Sequence, residues 1–199
     1  MSTRTRLSPQ QRRAQLLDLG VQMLSDAGPE ELSIDTLAEH AGISRGLLYH
    51  YFSNKRDFHL AVLRRMADQV IEITAPNGRG SPLDQMQESL EAYVDFVAAN
   101  RDAYVAFVRA AAGGDASYLQ IHEDSRRALT DRIFDPAYRD FLATVGLRDD
   151  ARSRLIVRGW SALVEEMVIS WLDRRRSMSR AELLSLLTGA LPALARAGG

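Results

Sequence analysis

SIDTLAEHAGISRGLLYHYFSNKR, residues 33–56, is the stretch whose reading decides the fold. Its spacing predicts a helix of about two turns from Ile34 to His40, a break at Gly42, and a second short helix from Ser44. Ser33 suits the N-cap of the first helix, because its hydroxyl can accept from a free backbone N–H. Gly42 stops that helix, since glycine takes the left-handed cap conformation without steric cost. Ser44 then caps the second helix after a turn of about three residues, and the pair reads as a helix-turn-helix whose second helix enters the DNA major groove. Leu37, Ala38, Ala41, Ile43, Leu48 and Phe52 are spaced to close one small core. Arg45, Gly46, Leu47, Tyr49, His50 and Tyr51 are left for the outward side.

The charges agree with that assignment. From Ser44 to Arg56 the charged residues are Arg45, Lys55 and Arg56, a local +3 with no acid. A phosphate backbone favours such a surface. Lys55 is the only lysine of the chain and falls at the start of the next helix, where free backbone N–H groups also favour a phosphate. Arg45 is the best candidate for reading a base, because a guanidinium pairs in bidentate fashion with guanine O6 and N7. Gly46 lets the helix approach closely, Leu47 can meet a thymine methyl, and His50 and Tyr51 are candidates for phosphate or base.

The run Gly42-Ile-Ser-Arg-Gly-Leu-Leu-Tyr-His-Tyr-Phe-Ser-Asn-Lys55 resembles the signature of the tetracycline-repressor (TetR) family of transcription regulators. There a Gly-Val/Ile-Ser turn leads into the recognition helix, a Leu-Tyr-x-(His/Tyr)-Phe segment follows, and Asn-Lys opens the fourth helix. Leu32-Ser-Ile-Asp-Thr-Leu-Ala38 is similar to the family's second helix. By matching positions the resemblance implies that Ser33 and Tyr49, with Lys55, hold phosphates. It also implies a palindromic double-stranded operator, a homodimer built on the last two helices, and a small-molecule effector bound in the C-terminal body. Repression is the family's commonest mode.

The remainder of the chain reads as helical throughout. At 199 residues it is long enough for a real core. Its net charge of -1 decides nothing, whereas residues 1–13 carry Arg4, Arg6, Arg12 and Arg13 and no acid. Residues 1–8 read either as a disordered tail or as an arm that touches DNA phosphates or the minor groove. Zero cysteines exclude a disulfide framework and any thiolate metal site. No apolar run reaches the roughly 18 residues of a membrane span, and the polar N-terminus is no secretion signal. A soluble cytoplasmic protein is expected. Ser8 and Pro9 open a first helix that ends at Gly28-Pro29, and Asn54 caps a fourth helix running to about Thr74. The breakers from Ala75 to Pro82 form a loop. Helices are then expected near 82–99, 101–112, 115–134, 136–145, 149–175 and 179–196.

The fold class is therefore all-α. It comprises an N-terminal three-helix DNA-binding domain, residues 1–56, and a larger helical effector-binding and dimerisation domain, residues 57–199, about nine helices in all. Apolar side chains on the last two helices exceed what one neighbour requires, which points to a second copy. Leu163, Met167, Trp171, Leu184, Leu187 and Leu191 are the interface candidates. Met66, Val70, Met86, Tyr93, Phe96, Tyr104, Phe107, Val108 and Trp160 are candidates for lining an effector pocket, and their character suits an apolar or amphipathic small molecule.

Enzymatic readings find little support. Gly42-Ile-Ser-Arg-Gly46 satisfies G-x-S-x-G, but a hydrolase elbow needs a strand running into the serine. His40, His50, His59 and His122 have no metal-site spacing. Glu30-Glu31 and Glu165-Glu166 are adjacent pairs pointing about 100° apart on a helix, which suits a solvated face. No cofactor or metal is expected. A helical binding protein without specific DNA recognition is the alternative, and it leaves the 33–56 motif unexplained.

Overall fold

The computed structural model describes residues 8–27, 32–173 and 178–197, and these contain ten α-helices and no strand. The helices are α1 (Pro9–Ala27), α2 (Ile34–Ala41), α3 (Arg45–Tyr51), α4 (Lys55–Ile73), α5 (Pro82–Ala99), α6 (Arg101–Ala112), α7 (Ala116–Asp131), α8 (Arg139–Thr144), α9 (Ala151–Asp173) and α10 (Arg180–Ala197). Two expectations change. The helix near 115–134 gives up its α geometry at Asp131 and ends in a 3-10 turn, Arg132–Phe134. The segment near 136–145 is a second 3-10 turn, Pro136–Tyr138, followed by the short α8. Pro136 explains both. It has no N–H to continue a helix, and it forces Asp135 into the extended conformation (φ -60°, ψ 138°). The Gly28-Pro29 break, Glu30-Glu31, Arg4 and Arg6 lie outside the described residues.

Local chemistry sets the remaining boundaries. Ser8 Oγ accepts from Gln11 N while Gln11 Oε1 accepts from Ser8 N, a reciprocal cap at the start of α1. Ser33 and Thr36 form the same box at α2. Gly42 ends α2 at φ 63°, where a side chain is disfavoured, and Ile43 N reaches back to Ala38 O at 3.1 Å. Asn54 caps α4 through Asp57 N, and Ser81 caps α5 with Pro82 in its first turn.

One continuous core runs from the helix-turn-helix into the body, and α4 carries it. Leu37, Leu48, Phe52 and Phe58 are fully buried where α1, α2, α3 and α4 meet. The helices α1 and α4 cross at Gly20, so closely that a Cβ there would sit 2.7 Å from Val62 Cγ2. His59 Nε2–H donates to the Leu32 carbonyl at 2.6 Å, tying α4 to the chain entering α2. Burial pushes this imidazole below its usual value, which favours the neutral ring.

Further along, α4 lies beside α7 and is fastened to it at both ends. Arg56 Nη2 donates to both Asp115 carboxylate oxygens at 2.9 Å, and Asp115 is the N-cap of α7. At the far ends Arg132, just past α7, donates to the Ile71 and Thr74 carbonyls at 2.9 and 2.6 Å. The two helices therefore run in the same direction, start beside start and end beside end.

Candidate nucleic-acid interface and effector cavity

The recognition surface is built on seven residues of α3. Leu48 points inward and is fully buried, which fixes the rotation of the helix. Arg45, Gly46, Leu47, Tyr49 and His50 are consequently exposed, Tyr49 at 55%. Ser44 Oγ caps the helix by accepting from Leu47 N at 3.3 Å, and α2 rather than a strand precedes it, which is not the geometry of a hydrolase elbow. A Cβ on Gly46 would meet no atom within 4 Å, so the surface there is open to an approaching partner. Lys55 is exposed at the first position of α4, next to the turn that follows α3.

Three members of the predicted set are engaged differently from the others. Ser33 is half-buried, and its hydroxyl is already used as the α2 cap, accepting from Thr36 N. Tyr51 is half-buried against the core, with His50 set edge-on to its ring at 5.6 Å. Arg45 Nε is held 2.8 Å from Asp35 on α2. Its two terminal nitrogens, the fork that would face a guanine, make no hydrogen bond among the described residues. Asp35 thus orients the arginine without consuming the groups that read a base.

The body holds a partly open cavity of about 590 Å³ lined by residues of α4, α5, α6, α7, α8 and α9, the loop before α5 and the 3-10 turns that follow α7. Met66, Val70, Met86, Tyr93, Tyr104, Phe107 and Trp160 all line it. Phe96 and Val108 do not. Phe96 lies on the same stripe of α5 as Tyr93 but past the last α5 residue that lines the cavity, and Val108 likewise follows Phe107, the last α6 residue that lines it.

The polar part of the wall contains residues whose role was not evident from the sequence. Glu165 is 7% exposed, against the solvated position expected for it, while its neighbour Glu166 faces water. His122 Nε2–H donates to Glu165 at 2.8 Å, and Arg126 forms an ion pair with the same carboxylate. Burial alone would raise this carboxyl. The hydrogen bond and charge of His122, with the Arg126 guanidinium, outweigh it and hold the group below its usual range. Tyr93 and Tyr104 share a hydroxyl–hydroxyl bond of 3.0 Å in the same region, and burial pushes both phenols up. The signal that could have found Glu165 is its phase. Val168 and Leu172 are buried on α9, and Glu165, three residues before the one and seven before the other, falls on their side of the helix.

The interface candidates also divide. Leu184, Leu187 and Leu191 are buried inside the single chain, Leu187 and Leu191 at 0%, so they belong to its own core. Contact between α10 and both α5 and α9 accounts for them. Leu163, Met167 and Trp171 are half-buried, and Trp171 Nε1 donates to the Met178 carbonyl. Of the apolar side chains on α9 and α10, those left most open to solvent are Leu155, Leu186 and Leu194.

Comparison with known proteins fits both halves of this architecture. Residues 16–62 match the family of bacterial regulatory proteins called tetR, and residues 82–193 match the tetracyclin repressor-like C-terminal domain. The chain belongs to the TetR family. It is a DNA-binding transcription regulator with the TetR fold. The transcriptional activator FasR of Mycolicibacterium smegmatis is 28% identical over 182 residues, 88% of this chain and 78% of that protein. The regulator Rv0472c of Mycobacterium tuberculosis is 30% identical, over 95% of this chain and 81% of that protein. A TetR-family regulator from Streptomyces coelicolor superposes with a TM-score of 0.75 at 30% identity, covering 94% of this chain and 84% of that one. Among the described residues no helix is long and apolar enough to cross a membrane, and no group of three or more metal-ligating side chains forms.

Proposed function

We propose that this TetR-family regulator acts in the cytoplasm as a homodimeric, ligand-responsive repressor on a palindromic operator. Residues 1–56 form the DNA-binding head in this reading and residues 57–199 the body. The observation that carries it is the pairing of an exposed α3 face, presenting Arg45, Leu47 and Tyr49 beside Lys55, with a partly open cavity that shares α4 with that head. Arg45 reads a base, Tyr49 and Lys55 hold phosphates, and Leu155, Leu186 and Leu194 pack against a second copy together with Leu163 and Met167. A ligand in the cavity needs only to favour the conformation that DNA disfavours.

Selection from a random pool of DNA duplexes tests this directly. One inverted-repeat site should emerge, with half-sites about one helical turn apart. Failure to enrich any sequence, repeated with protein refolded free of ligand, would favour a helical binding protein without specific DNA recognition. Sedimentation should give a dimer, and Leu155→Arg with Leu186→Arg should shift it toward monomer.

A further inference from the structure

The cavity contains two arginines in opposite electrical situations. Arg126 is neutralised by Glu165. Arg132 is not neutralised: it is half-buried in the cavity wall, and no carboxylate among the described residues lies within ion-pair distance of it. Its hydrogen bonds go to the Ile71 carbonyl from Nη1 and to the Thr74 carbonyl and hydroxyl from Nη2, all neutral acceptors. A guanidinium has five N–H donors, so at least two remain for something else. Burial pushes the group below its usual value, as expected for a cation taken from water without a counter-charge. Asp140, which also lines the cavity, is exposed to water.

The rest of the wall is mainly apolar: Val70 and Met66 line it one and two turns back along α4 from Thr74, and Met86, Leu90 and Phe141 line it as well. A partly desolvated cation and an apolar wall in one cavity are complementary to one kind of molecule. We propose that Arg132 is the anion-binding residue of this cavity and that the effector is an amphipathic anion, its headgroup on the guanidinium and its apolar body in the chamber. The proposal rests on the effector-cavity reading above and adds the ligand's chemical class.

It also gives the ligand a route to the DNA-binding head. The carbonyls that Arg132 now holds are those left unpaired at the C-terminus of α4, where a cation stabilises a helix end. An anionic headgroup on the remaining donors draws on the same guanidinium charge that those carbonyls now share. It therefore acts on the far end of the helix that begins at Lys55. Arg132 is a binding residue for the headgroup and a positioning residue for α4.

Three dodecyl compounds of different charge test the assignment by calorimetric titration of the full chain at pH 8: dodecanoate, dodecan-1-ol and dodecyltrimethylammonium. Dodecanoate should bind at least about ten-fold more tightly than the other two, the ratio expected when a charged hydrogen bond is gained. In Arg132→Gln that preference should vanish while dodecan-1-ol binding stays within about two-fold, and Arg132→Lys should keep most of it. The ratio within one variant is the readout, so a general loss of stability does not imitate the result. Should Arg132→Gln not fold, Thr74→Val, which removes one neutral acceptor from the guanidinium, should raise the ratio of dodecanoate to dodecan-1-ol affinity, and an unchanged or lower ratio overturns the role of Arg132. Equal binding of anion and alcohol by the unaltered protein, or a preference that survives Arg132→Gln, overturns the role of Arg132 and leaves the cavity as an effector site. Binding of none of the three overturns both.

Discussion

Replacing Gly20 by alanine sets two opposing effects against each other in a way the structure can decide. Gly20 lies inside α1, where alanine is favoured over glycine by about 0.8–1.0 kcal/mol in an exposed helix. Here the new methyl would meet Val62 Cγ2 at 2.7 Å and the Phe58 ring at 3.4 Å. Neither neighbour can yield easily. Val62 and Phe58 are both 0% exposed, and valine in a helix is confined almost to one χ1 rotamer. Overpacking of this kind costs about 1–3 kcal/mol, so the net expectation is a loss of about 1 kcal/mol. For a chain of this size that is roughly 2–4 °C in Tm.

Urea unfolding of four proteins measures it: the unaltered chain, Gly20→Ala, Val62→Ala and the double variant. Val62→Ala alone should cost about 2 kcal/mol through the space it leaves. The double variant should lose less than the sum, by about 1 kcal/mol, because the methyl added at position 20 occupies part of that space. A Gly20→Ala protein as stable as the original, or strict additivity in the double variant, would refute the close approach of α1 and α4.

Arg45→Ala should weaken specific DNA binding by roughly 1–3 kcal/mol and relax the preference at one base position, measured by repeating the selection with the variant. Lys55→Ala should instead weaken binding to all sequences alike and lower the slope of log K against log salt by about one contact's worth, which titrations at several salt concentrations will show. Glu165→Gln should cost about 1–3 kcal/mol at pH 7, because it leaves the part-buried Arg126 guanidinium without its counter-charge. Since the folded-state carboxyl is held below its usual 4.5, its contribution is present above that pH and lost as the pH falls through the folded value. The stability gap between Glu165→Gln and the original should therefore narrow on acidification below about pH 4.5. A gap that stayed constant or widened would contradict the assignment.

The helix-turn-helix was legible in the sequence because its boundaries are fixed by local chemistry. Ser33, Gly42, Ser44 and Asn54 each act within three or four residues of themselves, on backbone groups whose partners the sequence already specifies. The body is different. Leu187 and Leu191 are indistinguishable from Leu186 by composition, yet two are core and one is exposed, because only the placement of α5 and α9 decides which face of α10 is covered. Phe96 failed as a lining residue for a related reason: helical phase places it on the correct face, but where a cavity ends along that face is a property of the neighbouring helices. Glu165 and Arg132 were harder still. Burial of a charged side chain runs against the usual preference, and its stabilising partners come from other helices, 39 residues away for Arg126 and 58 and 61 residues away for Thr74 and Ile71.

The two ends of α4 differ in how much a ligand can do to them. The Arg56–Asp115 pair is on the surface, with Arg56 59% exposed, so water and salt already compete for it and its loss changes little. The Arg132 end is partly withdrawn from water, and there a new charge acts at a lower effective dielectric. A regulator must move its equilibrium far enough to matter: going from one per cent to ninety-nine per cent of a state takes about 5.5 kcal/mol. One charge-assisted bond supplies about 1.5–3 kcal/mol, which is too little by itself. In the proposed homodimer two cavities act on one DNA-bound state, and together they supply about 3–6 kcal/mol. Switching through Arg132 therefore requires both sites to fill, and release from DNA should depend on effector concentration with a Hill coefficient between one and two. An Arg132→Lys homodimer, with a weaker hold on α4 but the same charge, should still respond, at a different effector concentration.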